Sequence, residues 1–147
     1  MKYVRVQAEG FDPGAELARL EALDAGAVAS FTGLVRGDDG VSTLTLEHYP
    51  GMTERALVAL ADAALARWPL AGIILIHRIG DLARGERIVF VGTASAHRAA
   101  ALEACAFLID RLKTDAPFWK REDVAGERRW VAARDSDNKA ADRWRSP

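Results

Sequence analysis

Cysteine is almost missing from this chain. One thiol, Cys105, stands among 147 residues, which excludes an internal disulfide and any metal site built from several cysteines. There are only three histidines. Two of them, His48 and His77, sit inside strand-like patterns with no second ligand at metal-binding spacing, so neither a metal nor another cofactor is expected. An excess of positive charge is missing too. The formal net charge is -1 and the pI about 6.3, which advertises neither nucleic acid nor an anionic membrane as a partner. Any anion site has to be local. No apolar run approaches the ~18 residues of a membrane span, and the opening "MKYVRVQAEG" alternates like a strand instead of reading as a secretory signal. A cytoplasmic protein is expected. Internal repeats, low-complexity tracts, phosphate-cradling glycine loops and dinucleotide fingerprints are all absent.

What is present is enough apolar residue, 50% of the chain, to bury a proper core. The length predicts one domain over 1–147, with a loosely held tail from about 135 onward. Asp12-Pro13 reads as an N-cap with proline at the first helical position, and Leu17, Leu20 and Leu23 follow at helical spacing. "GAVASFTGLVR" and "STLTLEHY" are strand-like and separated by the turn signal "GDDG". Arg36 then sits at a strand end, facing a loop. "TERALVALADAALARW" predicts a helix with Leu57, Leu60, Ala64 and Trp68 on one face, Thr53 available as its cap, and an end at Pro69. "GIILIHRIG" and "ERIVFVGTAS" read as neighbouring buried strands joined by "DLARG". A third helix is expected from about His97 to Leu112, with Leu102, Cys105, Ile109 and Leu112 on its buried stripe. Cys105 is thereby a small core residue. Pro117 ends the helix, and "FWKRE" and "RRWVAA" flank "DVAGE" as a final hairpin. This order predicts an α+β fold.

Three features can carry chemistry, and each also has an ordinary reading. In "TASAHR" a strand meets a helix with His97 and Arg98 in its first turn. A basic pair at the positive end of a helix dipole makes an anion site, or else is a tolerated surface pair. Arg36 at its strand end can chelate a phosphate or carboxylate, or simply be solvated. In "LKTDAPFWKRE", Lys113 ends a helix, where the dipole alone favours a lysine. Lys120 reappears after the Pro117 turn, and Phe118 and Trp119 offer an apolar wall able to desolvate an amine for acid–base or covalent work. The helix end favours protonated Lys113 and desolvation favours the neutral amine, so both roles stand.

As a set and in this order, "FTGLVR", "LTLEHYPGMTE", "RWPL", "IHRIG", "VFVGTASAHR" and "LKTDAPFWKRE" resemble the large catalytic subunit of molybdopterin synthase, over about Gly26 to Arg134. The resemblance implies an α/β-hammerhead-like domain with an additional small antiparallel β subdomain. It also implies a sulfurtransferase that converts cyclic pyranopterin monophosphate to molybdopterin. Two sulfurs, which form the dithiolene, come from the thiocarboxylated C-terminal Gly-Gly of a small ubiquitin-like carrier. The implied assembly is a homodimer within a heterotetramer. Carried over by position, the implied substrate contacts are Leu34, Val35, Arg36, His97, Arg98, Lys113, Lys120, Arg121 and Glu122, with Arg134 completing the site, across the dimer in one version. Lys113 and Lys120 are the implied catalytic residues, Lys113 in proton transfer or a transient covalent link and Lys120 in neutralising charge. Leu34 stands where the family often has a lysine, which leaves it a backbone or packing role, and the "GDDG" loop is short.

Two rival readings come from other classes. One is a carrier-binding scaffold without turnover. The other is an anion- or single-stranded nucleic-acid-binding module, drawn from the basic and aromatic residues between Arg111 and Trp130.

Overall fold

In the computed structural model, residues 1–37, 40–124, 127–130 and 142–145 are described. They form eight strands and three helices: β1 (Lys2–Gln7), α1 (Pro13–Glu21), β2 (Ala27–Leu34), β3 (Val41–His48), α2 (Met52–Arg67), β4 (Leu70–Arg78), β5 (Gly80–Ala83), β6 (Arg87–Ser95), α3 (Arg98–Asp115), β7 (Phe118–Val124) and β8 (Glu127–Trp130). Two four-stranded sheets result, one in the order β1-β4-β6-β2 and the other β5-β3-β7-β8. The class is α+β, as the order of sequence patterns predicts.

The first sheet is covered on both faces, which explains why β4 and β6 read as unbroken apolar runs. Odd-numbered Ile73, Leu75, Val89 and Val91 pack under α2 and α3, against Leu57, Leu60, Ala64, Phe107 and Leu108. Even-numbered Ile74, Ile76, Phe90 and Ala94 pack on the other face, with Leu20 of α1. Asp12 caps α1 by accepting from the Gly14 amide at 3.0 Å, with Pro13 at the first helical position. Gly92 leaves little room for a side chain, since a Cβ there would lie 2.5 Å from Leu20 Cδ1 and 2.8 Å from Phe90 Cε1, both of which would have to shift.

The structure corrects the sequence reading at several points. The strands on either side of "GDDG", to which the sequence reading assigns no partner, belong to different sheets: β2 runs antiparallel to β6 in the first, and β3 lies between β5 and β7 in the second. The chain changes sheets there because Val35 must enter a separate core with Leu44, Leu46 and Leu82. "DLARG" is no mere connector, for Gly80–Ala83 forms β5. Helix α2 takes Gly51 as its N-cap, at φ 85°, where glycine carries no steric cost, and the Gly51 amide donates to the Glu54 carboxylate at 3.1 Å. Thr53 is fully buried instead, its hydroxyl accepting from the Tyr49 amide and donating to the Pro117 carbonyl at 2.9 Å. Helix α3 runs three residues past Leu112, to Asp115, and Leu102 is 60% exposed. Cys105 and Leu112 are buried as the stripe predicts and Ile109 packs against the core, while the buried face also takes in Ala101, Ala104, Phe107 and Leu108.

The expected loose tail falls mostly outside the described residues. Where it is described, Trp144 sits edge-on to Trp68 and Phe107, with ring centroids 5.8 and 5.6 Å away. Its Nε1 donates to Asp110 Oδ2 at 2.7 Å, and Arg143 pairs with the same oxygen at 2.8 Å. Trp144→Ala is expected to lower stability by about 2 kcal/mol and to speed trimming by carboxypeptidase. Unchanged denaturation midpoints and trimming rates would show that this contact holds nothing.

Candidate active site

Strand register decides which candidates can meet. Leu34 at the end of β2 pairs with Arg87 at the start of β6, and His77 near the end of β4 pairs with Val89. One edge of the first sheet therefore collects the segment 34–36, His77 and the start of β6. The opposite edge holds Ala27 and Ser95. Helix α3 begins at that opposite edge and runs back over the sheet, bringing Lys113, in its last turn, to the edge with His77 and Arg36. At 1.5 Å per residue, Arg98 and Lys113 stand about 22 Å apart along the helix. His97, the N-cap, and Arg98, the first helical residue, thus lie far from Lys113 in the same chain. Both are exposed, and no acidic residue occupies the first turn of α3.

After α3, Ala116 takes an extended conformation (φ -79°, ψ 128°) before Pro117, and the Pro117 carbonyl is tied down by Thr53. β7 then pairs antiparallel with β3, with Phe118 opposite His48, Lys120 opposite Leu46 and Glu122 opposite Leu44. Directly opposed residues share a face of the sheet. Because Leu44 and Leu46 are buried, Phe118, Lys120 and Glu122 belong to the inner face of the second sheet. Phe118 stacks on His77, with centroids 3.8 Å apart and planes 19° from parallel.

His77 is 5% exposed, and its Nδ1 lies 2.8 Å from the Arg78 carbonyl. Burial pushes its pKa from 6.5 down to about 3, with Lys120 and Lys113 adding to the depression by their positive charge. Both lysines are therefore within electrostatic reach of one imidazole, from a helix end and from a strand.

The other candidates scatter. Arg121 and Trp119 alternate to the outer face, where Trp119 is 51% exposed and lies 6.0 Å from the Trp130 ring, and the Arg121 guanidinium is 5.9 Å from that same ring. Leu34 is exposed beyond a β-bulge, and Val35 is buried. The Val35 amide donates to the Glu86 carbonyl at 2.9 Å, so it is not free for an anion. Arg36 follows, exposed, at the lysine edge. Arg134 lies outside the described residues. No group of three or more His, Cys, Asp or Glu side chains among the described residues is arranged to hold a metal. Burial raises the Cys105 thiol to about 11, which keeps it protonated and unreactive.

The family pattern described as "MoaE protein" matches residues 6–115 of this chain. The chain belongs to the MoaE family. It is 56% identical over 146 residues to a molybdopterin synthase catalytic subunit of Pseudomonas aeruginosa, covering 96% of this chain and 97% of the relative. The solved structure of a MoaE protein from Burkholderia ambifaria superposes with a TM-score of 0.86 at 43% identity, covering all of both chains. A complex of subunits 1 and 2 of molybdopterin-converting factor from Helicobacter pylori shares the fold, with a TM-score of 0.75 at 22% identity over 90% of this chain and 91% of that one.

In this MoaE-family chain, the structure adds His77 and Thr53 to the candidate site, where the sequence pattern alone marks a strand histidine and a helix cap. The available signal was parity, since His77 continues the Ile73, Leu75 face that packs beneath α3.

Histidine 77 also sets a pH dependence. Folded, it stays neutral down to about pH 3, whereas in an unfolded chain it takes a proton near 6.5. Unfolding between these values takes up a proton. The stability from its neutral burial is complete above about pH 6.5 and is lost as pH falls toward 3, by up to about 1.4 kcal/mol per unit. Urea denaturation from pH 7 to 4 is expected to show a shallower loss for His77→Phe than for wild type. Parallel curves would remove His77 as the cause.

Proposed function

We propose that this protein is the catalytic subunit of a molybdopterin synthase. It converts cyclic pyranopterin monophosphate to molybdopterin, taking two sulfurs from the thiocarboxylated C-terminal Gly-Gly of a small ubiquitin-like carrier. The observation that carries this reading is the likeness of nearly the whole chain to molybdopterin synthase catalytic subunits, beside a structure that sets Lys113 in the last turn of α3 and Lys120 on the inner face of β7. Both the substrate phosphate and the thiocarboxylate are anions. Two ammonium groups beside an apolar wall can bind them and stabilise charge as sulfur is transferred. Lys113 is assigned to proton transfer or to a transient covalent link, and Lys120 to neutralising charge. Arg36, at the same edge, suits the phosphate as a bidentate donor.

The separation along α3 supports a site shared between two copies of the chain. His97 and Arg98 are too far from the lysine pair of their own chain to act with it. A symmetric dimer can set the exposed start of α3 in one copy against the lysine edge of the other. The helix N-terminus then adds its free amides and positive dipole end to the anion site. A carrier subunit on each copy gives a heterotetramer, a partnership supported by the likeness to the two-subunit complex.

In a single-turnover assay with thiocarboxylated carrier and cyclic pyranopterin monophosphate, wild type is expected to form the dithiolene product. Lys113→Ala should slow this at least about a hundredfold while still binding carrier. Equal loss of carrier affinity or of folding in Lys113→Ala would sink the chemical role. Exchange of Lys113→Ala with Arg98→Ala subunits should restore about a quarter of the wild-type sites, since half of randomly mixed dimers carry one intact site of two. No recovery in a mixture shown to form mixed dimers would place both residues in one site of one chain.

A further inference from the structure

Among the described residues the two sheets end in four outer strands, and these are not alike. β1 carries Lys2 and Arg5, β5 is only four residues long and holds Asp81, and β8 reads "ERRW". Charge and brevity keep an open strand edge from pairing with another chain. β2 has neither. Its eight residues, "AVASFTGL", include no charge and no proline, and among the described residues it pairs with β6 alone. Its bulge, at Gly33/Leu34, lies at the end and leaves 27–32 regular.

Helix α3 continues this bare edge upward. α2 packs on β1 and β4, and α3 packs on β6 and β2 alike, so the side of α3 turned from α2 overhangs the open edge. The α2 side is marked by Phe107, edge-on to Trp68, and by Glu103, which accepts from Trp68 Nε1 at 3.0 Å. At about 100° per residue, Leu102, Ala106, Ile109 and Lys113 line the side away from it. Leu102 is exposed there. Phe31, opposite Val91 and so on the same face of the sheet as α3, is exposed on β2 as well.

We infer that β2 pairs antiparallel with β2 of a second copy, about a two-fold axis normal to the sheet, joining the two first sheets edge to edge and packing α3 against α3. Such an axis sets a residue near the middle of the strand, Ser30 or Phe31, opposite itself, and brings the Ala27 end of one copy beside the Leu34 end of the other. The helices are reversed likewise. The offset that sets Leu102 against Ile109 of the second copy also sets Arg98 against Lys113 of that copy. Since α3 rests on β6 and β2 alike, the two helix axes stand two strand spacings apart, about 10 Å, close to the roughly 8–10 Å of packed helices. The inference rests on the reading of a site shared between copies, to which it gives a surface and a register. A second copy is chosen over a foreign strand for two reasons. An uncharged strand facing itself meets no like charge, and self-pairing returns the two ends of α3 to one another.

Sedimentation of wild type should show a dimer, and Ser30→Lys or Leu102→Asp should shift it toward monomer with an unchanged circular dichroism spectrum, because both positions are exposed. Register is read by cross-linking. Opposed residues of an antiparallel pair have Cα atoms about 4.5–5.5 Å apart, within disulfide reach, and the native thiol, Cys105, is buried. Ser30→Cys or Phe31→Cys should therefore link to itself on oxidation and run as a covalent dimer on a denaturing gel. Tyr49→Cys, beside the exposed Trp119 ring of the second sheet, should not. A monomeric wild type, a dimer indifferent to both charges, or cross-linking through Tyr49→Cys alone would overturn the inference. Covalent dimers through β2 with no recovery of turnover in mixed Lys113→Ala and Arg98→Ala dimers would uphold this surface and refute the shared site alone.

Discussion

The stacking of Phe118 on His77 is the contact on which the rest of the site depends. It joins the two sheets where they would otherwise merely adjoin: His77 is fixed in the first sheet by its strand neighbours, and Phe118 opens the strand that carries Lys120. An aromatic pair of this kind contributes on the order of 1 kcal/mol beyond the area it buries. Its larger effect is geometric. β7 could cross the end of β4 at many heights, but the ring stack and the Thr53–Pro117 hydrogen bond permit one. In each constraint one partner, His77 or Thr53, is buried.

Charge at this edge is managed by keeping its centre neutral. Two lysines near each other repel, and a protonated imidazole beneath them would add a third positive charge in a place of low polarity. Burial removes that option by holding His77 uncharged, and leaves the net positive field to anions arriving from outside. The inner face of the second sheet adds an apolar floor of Val35, Leu44, Leu46 and Leu82, while Lys113 itself stands exposed at the end of α3.

Much of the fold was legible in the sequence because two sheet faces and three helices impose strong periodicities. The β4 and β6 runs, the Asp12-Pro13 cap and the Pro117 break each follow from a single local rule. What escaped notice depends on partners distant in sequence. Val35 leaves the first sheet for a core built with Leu44 and Leu82, so the strands before and after "GDDG" belong to different sheets. Leu102 looked buried by spacing, yet the face of α3 that meets the sheet is carried by Ala101, Ala104, Cys105, Phe107 and Leu108, and Leu102 is exposed. The lysine pair could be read from "LKTDAPFWKRE" because the proline and its flanking aromatics announce a turn. The distance between His97–Arg98 and that pair could not be seen until strand register gave α3 a direction, and the role of His77 required knowing which ring lay on it.

Helix α3 acts as a ruler with a fixed number of divisions. Its first residue starts at one edge of the sheet and its last turn delivers Lys113 to the other, in a helix of eighteen residues. Inserting one residue would advance the end by only about 1.5 Å but swing it through about 100°, turning Lys113 away from the edge and Leu112 out of the core. Lengthening by one full turn would restore the direction but overshoot by about 5 Å. The residue count of α3 is therefore a tighter constraint on this edge of the sheet than the identity of its exposed side chains.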